Sequence, residues 1–238
     1  DAERQSNFVR PDGVRYAASI LGSAMLMAQT SGSYLATYLI KNSGVIPKGT
    51  VQTAMTVAIG AGMMVAMVLM PVLRKKMSLK AIYISSALFG ALVHVIMYFV
   101  GYDAPWKIAI CAVGLVLLGI PQGVNNIITY AMIGDTVDYL EWKTGERGEG
   151  ICFAMQTLIN KIGMAVGAFI GVISFAAAGI NSETGYISAE GANTLWNMLV
   201  LSGVISMFAC AVPMFFYKVT EKRQAEMVAE IEARKVKK

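Results

Sequence analysis

The chain has 238 residues, of which 56% are hydrophobic and only 15% are charged. A soluble domain normally carries about 25% charged residues, so this composition excludes an ordinary soluble domain. The net charge of +5 does not indicate nucleic-acid binding, because the basic residues stand in short segments between long apolar runs, as membrane topology requires. The three cysteines are scattered singly without metal or redox spacing, so we interpret them as packing residues and expect no metal or cofactor.

Apolar runs recur along the chain, and each is long enough to cross about 30 Å of hydrocarbon. The six predicted spans are 14–40, 51–73, 81–101, 106–134, 151–178 and 194–217. The gaps between them contain proline, glycine and polar residues, which are typical of helix breaks. The sequence therefore predicts an all-α membrane protein, with residues 1–13 as a cytoplasmic linker segment, 14–217 as a bundle of six transmembrane helices and 218–238 as a cytoplasmic amphipathic tail.

The distribution of basic residues predicts the orientation of this bundle. Six crossings place both termini on one side, and that side holds all of the 20 lysines and arginines except Lys41, Lys48, Lys107 and the intramembrane Lys161. Cytoplasmic segments carry such an excess of Lys and Arg. We therefore expect a multi-pass protein of the inner (plasma) membrane with both termini in the cytoplasm and the lipid bilayer as a partner.

The tail has the pattern of one more helix. Thr220 can cap its start, and Glu230 and Arg234 have the i,i+4 spacing of a helical ion pair. A narrow apolar stripe is formed by Met227, Val228 and Ile231. We expect this helix to lie on the cytoplasmic membrane face, and the alternative is a solvated charged tail.

Polar residues in hydrocarbon are costly unless they face protein or water, so their positions indicate what each span contacts. They share one face in the fourth and the fifth spans, cover part of the first and mark the outer end of the second. The candidate substrate-binding residues are Gln29, Gln122, Asn126, Gln156, Thr157, Asn160 and Lys161. We predict that the first, second, fourth and fifth spans line an aqueous path while the third and sixth support them from outside. The alternative is hydrogen bonding between helices without a water path.

Individual residues inside the spans leave two interpretations open. Pro121 predicts a kink in the fourth span, which is either a gating bend or purely architectural. His94 in the third span is either a proton relay or a hydrogen-bonded packing residue. Gly163, Gly167 and Gly171 have the small-xxx-small spacing that allows a neighbouring helix to approach closely.

A motif follows the fourth span. It reads Asp135-Thr136-Val137-Asp138-Tyr139, Glu141-Trp142-Lys143-Thr144-Gly145, Arg147 and Glu149-Gly150. This pattern resembles the signature of the glycoside-pentoside-hexuronide:cation symporters, a branch of the major facilitator superfamily. The stretch with Gln156, Thr157 and Lys161 and the opening of the tail at Thr220 are similar to the same family. The resemblance covers essentially the whole chain.

The resemblance implies a twelve-helix transporter made of two six-helix halves, in which this chain matches the second. It also implies symport of a glycoside, sugar or sugar acid with Na⁺ or H⁺ by alternating access. The family's cation-binding carboxylates and most sugar contacts belong to the first half, so that half is an expected partner and the coupling cation is expected to bind mainly there. The family's cavity helices in this half are the same four spans that carry the polar faces.

The charged residues of the motif suggest a gate. The candidate gating residues are Asp135, Asp138, Glu141, Lys143, Arg147 and Glu149. They could form breakable ion pairs with the other half and close the inner end of the path. The alternative is a solvated hairpin that only fixes topology, since exposed pairs contribute about 0 to 1 kcal/mol.

A different class of function is a six-helix channel or membrane scaffold that acts alone. A channel should show a re-entrant filter or a ring of like charges, and the sequence offers neither. No enzyme motif is present, so an enzyme is not expected. The first residue is not methionine, which suggests a fragment or a processed chain. The substrate, the choice of Na⁺ or H⁺ and the oligomeric state stay open at this point.

Overall fold

The computed structural model describes residues 48–102, 104–179, 188–216 and 221–236, which form six α-helices and no strand. The helices are α1 (Lys48–Arg74), α2 (Leu79–Val100), α3 (Pro105–Thr144), α4 (Glu149–Ala177), α5 (Ala189–Phe215) and α6 (Glu221–Val236). Five of them, α1 to α5, are long and apolar enough to cross a membrane. The prediction of an all-α membrane protein is confirmed. The first predicted span, 14–40, and Gln29 within it lie outside the described residues.

Helix α3 extends ten residues beyond the predicted end of the fourth span at Gly134. Its 40 residues correspond to about 60 Å, roughly twice the thickness of the hydrocarbon. A lone glycine costs a helix only about 1 kcal/mol, and no glycine or proline follows Gly134 until Gly145. Gly145 ends the helix in the left-handed conformation (φ 79°), and its N–H donates to the carbonyl of Glu141 at 2.8 Å. The first part of the charged motif is therefore helical.

Serine side chains cap two of the spans. The Ser78 hydroxyl accepts a hydrogen bond from the N–H of Ala81 at 3.2 Å at the start of α2. The Ser188 hydroxyl does the same for Gly191 at 3.0 Å at the start of α5. These caps satisfy N–H groups that have no partner within the helix.

Helices α1 and α3 pack with their backbones in close contact. A Cβ atom added to Gly62 would overlap the carbonyl oxygen of Val116, and one added to Gly119 would overlap the carbonyl oxygen of Ile59. One turn further along α3, a Cβ on Gly123 would lie 3.0 Å from the backbone of Met63. Small residues allow this approach between membrane helices. The repeat predicted at Gly163, Gly167 and Gly171 is buried along α4.

Helices α2 and α5, the two spans with few polar residues, pack against each other. His94 of α2 is buried, with its Nδ1 atom 2.8 Å from the carbonyl oxygen of Gly90. Its ring fills the space beside Gly203 of α5, where a Cβ would overlap it. Because a carbonyl oxygen only accepts, Nδ1 carries the proton in this contact. His94 thus has the geometry of a hydrogen-bonded packing residue.

Candidate functional site

The polar face of α4 divides into a bonded pair and an exposed pair. The Nε2 atom of Gln156, which is buried, donates to Oδ1 of Asn160 at 3.1 Å. Thr157 and Lys161, which lie one turn apart, are exposed. The Thr157 hydroxyl donates to the carbonyl of Phe153 at 3.0 Å. This face therefore offers amide groups, a hydroxyl and an ammonium group, all of which can bind the hydroxyl groups of a sugar.

The candidate substrate-binding residues of α3 are less buried than the core residues of that helix. Gln122 is half-buried and Asn126 is exposed. On the same face, the Thr129 hydroxyl donates to Oδ1 of Asn125 at 3.3 Å. The roles of these residues, like those on α4, stay predictions.

A second cluster of functional groups surrounds Arg147, in the short connection between α3 and α4. Its Nε atom lies 2.6 Å from Oε1 of Glu149, and its Nη1 atom lies 2.9 Å from Oε2 of Glu141 and 3.5 Å from Oδ1 of Asp138. The hydrogen bonds to Glu149 and Glu141 raise the pKa of the Arg147 guanidinium further above its ordinary value. One arginine thus links the end of α3 to the first turn of α4.

Glu141 also binds a cation from the tail. Its side chain is only 7% exposed, and its Oε1 atom lies 2.6 Å from Nζ of Lys235 in α6. Each oxygen of this carboxylate therefore has its own cationic partner, as a buried carboxylate requires. Asp138 has a tail contact as well, since Nε2 of Gln224 donates to its Oδ2 at 3.4 Å.

Trp142 of α3 makes three further contacts with α6. Its indole N–H donates to Oε2 of Glu230 at 2.6 Å, and its carbonyl accepts from Nη1 of Arg234 at 2.7 Å. The guanidinium of Arg223 lies over its ring, 5.1 Å from the centroid. Glu230 and Arg234 approach to 3.7 Å. These contacts define a charged network at one end of the bundle, formed by α6 with Asp138, Glu141, Trp142, Arg147 and Glu149.

The start of α6 is joined to α2, and α2 is joined to the end of α5. The N–H of Leu79, at the start of α2, donates to Oε1 of Glu221 at 2.7 Å. Close by, Nζ of Lys80 donates to the carbonyl of Phe215 at the end of α5 at 2.9 Å. The carboxylate thus lies at a positive helix end and the ammonium at a negative one.

The apolar stripe of the tail packs against α3. Met227 is 1% exposed and Ile231 7%, and α6 contacts α3. The reason is that the long extension of α3 carries Trp142 and the acidic residues to the level of the tail, where they offer α6 specific partners. The predicted cap at Thr220 lies outside the described residues.

Four of the six candidate gating residues meet in this network, namely Asp138, Glu141, Arg147 and Glu149. Asp135 is half-buried one turn earlier, and Lys143 is exposed. From the sequence we expected these residues to pair with the N-terminal half of a transporter, whereas in the structure they have partners within this chain. Pairing with another half stays a prediction. Sequence reasoning missed Lys235, Gln224 and the role of Trp142, although the Glu230–Arg234 spacing marked the correct face of the tail.

Within the ranges that the structure describes, no group of three or more His, Cys, Asp or Glu side chains is arranged to hold a metal ion. The charged network is held by cations of the chain itself.

Five apolar helices with a charged cluster at one end define an integral membrane protein of the multi-pass helical class. Residues 16–221 match the model of the MFS/sugar transport protein family. This match covers most of the chain, and the chain therefore belongs to that family, whose glycoside-pentoside-hexuronide branch the motif resembles.

Three relatives illustrate the similarity. The glucuronide carrier protein homolog of Escherichia coli is 30% identical over 70% of this chain and 36% of its own length. The lactose permease of Lactobacillus helveticus is 28% identical over 69% of this chain and 25% of its own length. The isoprimeverose transporter of Lactiplantibacillus pentosus is 29% identical over 50% of this chain and 25% of its own length. The chain thus spans between a quarter and about a third of these curated relatives, which are transporters rather than enzymes.

Proposed function

We propose that this chain is the C-terminal half of a secondary transporter that carries a glycoside, sugar or sugar acid in symport with Na⁺ or H⁺ by alternating access. The match of residues 16–221 to the MFS/sugar transport protein family carries this proposal. Relatives named for a glucuronide, lactose and isoprimeverose support a sugar or sugar derivative as substrate. The partners are this small molecule, an N-terminal six-helix half and the lipid bilayer, and the coupling cation binds mainly to the other half.

In this proposal the termini and the charged network face the cytoplasm of the cell, and the protein lies in the plasma membrane. The excess of Lys and Arg on that side supports the orientation. The network then lies at the inner mouth of the transport path, where Asp138 and Arg147 can exchange their present partners for groups of the other half as the path opens and closes.

The substrate site in this half lies on the polar face of α4, and Lys161 is its central residue. Counting about 1.5 Å per residue from the start of α4, Lys161 lies roughly 15 to 20 Å along the helix, near the middle of the bilayer. An ammonium group there costs about 2.5 to 3.5 kcal/mol, so it needs water or a partner. It binds the hydroxyl or carboxylate groups of the substrate, or it pairs with a carboxylate of the other half.

The test is the uptake of a panel of labelled glycosides by cells that express the full-length transporter, with and without Na⁺. The variant Lys161→Met loses substrate affinity or cation dependence by about 10-fold to 150-fold, because hydrogen bonds to charged groups are worth about 1.5 to 3 kcal/mol. The matched control is Lys107→Met, which removes a lysine from the first turn of α3. This control keeps the wild-type substrate affinity and cation dependence. No uptake of any sugar by the wild type would contradict the function, and wild-type affinity and ion dependence in Lys161→Met would contradict the site.

A further inference from the structure

The connection between α1 and α2 carries a dense run of basic side chains. Arg74, Lys75 and Lys76 follow one another at the end of α1, and Lys80 stands in the first turn of α2. No aspartate or glutamate occurs in α1, in α2 or in the connection between them. The neighbouring sequence therefore offers nothing that neutralises this positive charge.

The three basic side chains at the end of α1 face the surroundings of the protein. Arg74, Lys75 and Lys76 are all exposed, and in the part of the chain that the structure describes no carboxylate forms an ion pair with any of them. Glu221 of α6 reaches this end of the bundle, but its Oε1 atom accepts the N–H of Leu79 at 2.7 Å. The three cations are therefore available to an anion from outside the chain.

The backbone of the connection holds these charges in a tight turn. The N–H groups of Lys76 and Met77 both donate to the carbonyl of Leu73, at 3.0 Å and 2.9 Å. The Ser78 hydroxyl then caps α2. Because these bonds already fix the turn, a ligand that binds there does not have to order it, and such preorganisation favours binding.

Exposed apolar side chains lie next to this charge. Leu69 and Val72 are exposed on the last turns of α1, and Met77 is exposed within the connection. Beyond the start of α2, Nζ of Lys80 donates to the carbonyl of Phe215 at 2.9 Å, and the ring of Phe215 is exposed. Basic groups just outside an apolar surface match the two parts of a phospholipid, because its phosphate lies outside its acyl chains.

We propose that the connection between α1 and α2 is a binding site for an anionic phospholipid. Arg74, Lys75 and Lys76 hold the phosphate of the head group, and the acyl chains lie against Leu69 and Val72. An arginine binds phosphate through two nitrogens at once, and lysines add charge around it. A zwitterionic head group binds more weakly, because its own cation offsets the phosphate. The site uses none of the polar residues of α3 and α4, so it does not rest on the proposed transport function.

The test is native mass spectrometry of the 238-residue chain in a nonionic detergent, titrated with phosphatidylglycerol or with phosphatidylcholine of the same acyl chains. The wild type binds phosphatidylglycerol more tightly. Each Lys or Arg at an anionic lipid surface contributes about a factor of five in affinity, so Lys75→Gln with Lys76→Gln weakens phosphatidylglycerol binding by about 30-fold. Phosphatidylcholine binding stays at the wild-type level and shows that the variant folds. Lys75→Arg with Lys76→Arg keeps the wild-type preference for phosphatidylglycerol.

The matched control is Lys48→Gln with Lys107→Gln, which removes two lysines from the first turns of α1 and α3 at the other end of the bundle. This control binds phosphatidylglycerol as the wild type does. Equal affinity of the wild type for the two lipids would overturn the proposal, and so would an unchanged affinity of the Lys75 and Lys76 variant for phosphatidylglycerol. An equal loss in the control would mean that only net charge matters. Displacement of the lipid by millimolar inorganic phosphate would show a site for the free anion instead of a lipid.

Discussion

The contact between α1 and α3 can be tested with two glycines that lie two residues apart in the same helix. In Gly62→Ala, the new Cβ overlaps the carbonyl oxygen of Val116 and lies 2.8 Å from the Cα of Gly119. Optimal carbon contacts are about 3.5 to 4.0 Å, so the two helices must separate by about 1 Å. In Gly60→Ala, the new Cβ has nothing within 4 Å, so it meets open space.

The expected magnitudes follow from this difference. Overpacking typically costs about 1 to 3 kcal/mol, and the upper end applies to Gly62 because the atoms in the way are backbone. The better helix propensity of alanine returns up to about 1 kcal/mol in either variant. We therefore expect Gly62→Ala to lower the free energy of unfolding by about 2 kcal/mol, whereas Gly60→Ala leaves it unchanged or raises it by up to about 1 kcal/mol.

The assay is far-UV circular dichroism of the purified chain during titration with SDS in mixed micelles, with the two variants and the wild type measured side by side. Equal unfolding free energies for Gly62→Ala and Gly60→Ala would refute the close packing of α1 on α3. A loss of stability in Gly60→Ala alone would refute the assigned faces of α1.

Two further predictions concern the proposed transporter. A cysteine at Asn181 should react with an impermeant thiol reagent outside intact cells, and one at Lys75 should not, because the excess of basic residues predicts that Lys75 lies in the cytoplasm. Labelling at Lys75 would show that the predicted orientation is wrong. Neutralising Asp138 together with Arg147 should shift the balance between inward-open and outward-open states, which labelling of extracellular cysteines measures. Unchanged labelling in the single and double variants would show that the network is a purely structural element.

The spans could be predicted from the sequence because crossing hydrocarbon requires a long apolar helix, and such a helix is visible as one continuous run of apolar residues. The predicted limits of the spans that became α2 and α4 agree with the structure within two residues. The extension of α3 was missed because hydropathy falls at Asp135 although nothing there breaks the helix. A hydropathy limit is a membrane boundary and need not be a helix end.

The partners in the charged network could not be predicted for a different reason. The indole of Trp142 and the carboxylate of Glu230 are 88 residues apart in the chain, and no local pattern records which surface a charged helix will meet. The same holds for Gly62 and Gly119, which stand in separate apolar runs. The motif and the spacing of Glu230 and Arg234 identified the right residues, but only the three-dimensional arrangement pairs them.

The central claim is that this chain is one half of a sugar symporter and does not act alone. The most direct measurement is sugar uptake by cells that express the 238-residue chain and the N-terminal half of the same transporter as two separate polypeptides. We expect cation-dependent uptake with both polypeptides together and none with either one alone. Uptake or ion conduction by this chain alone would contradict the claim, and so would a covalently joined form of the two halves that transports no sugar.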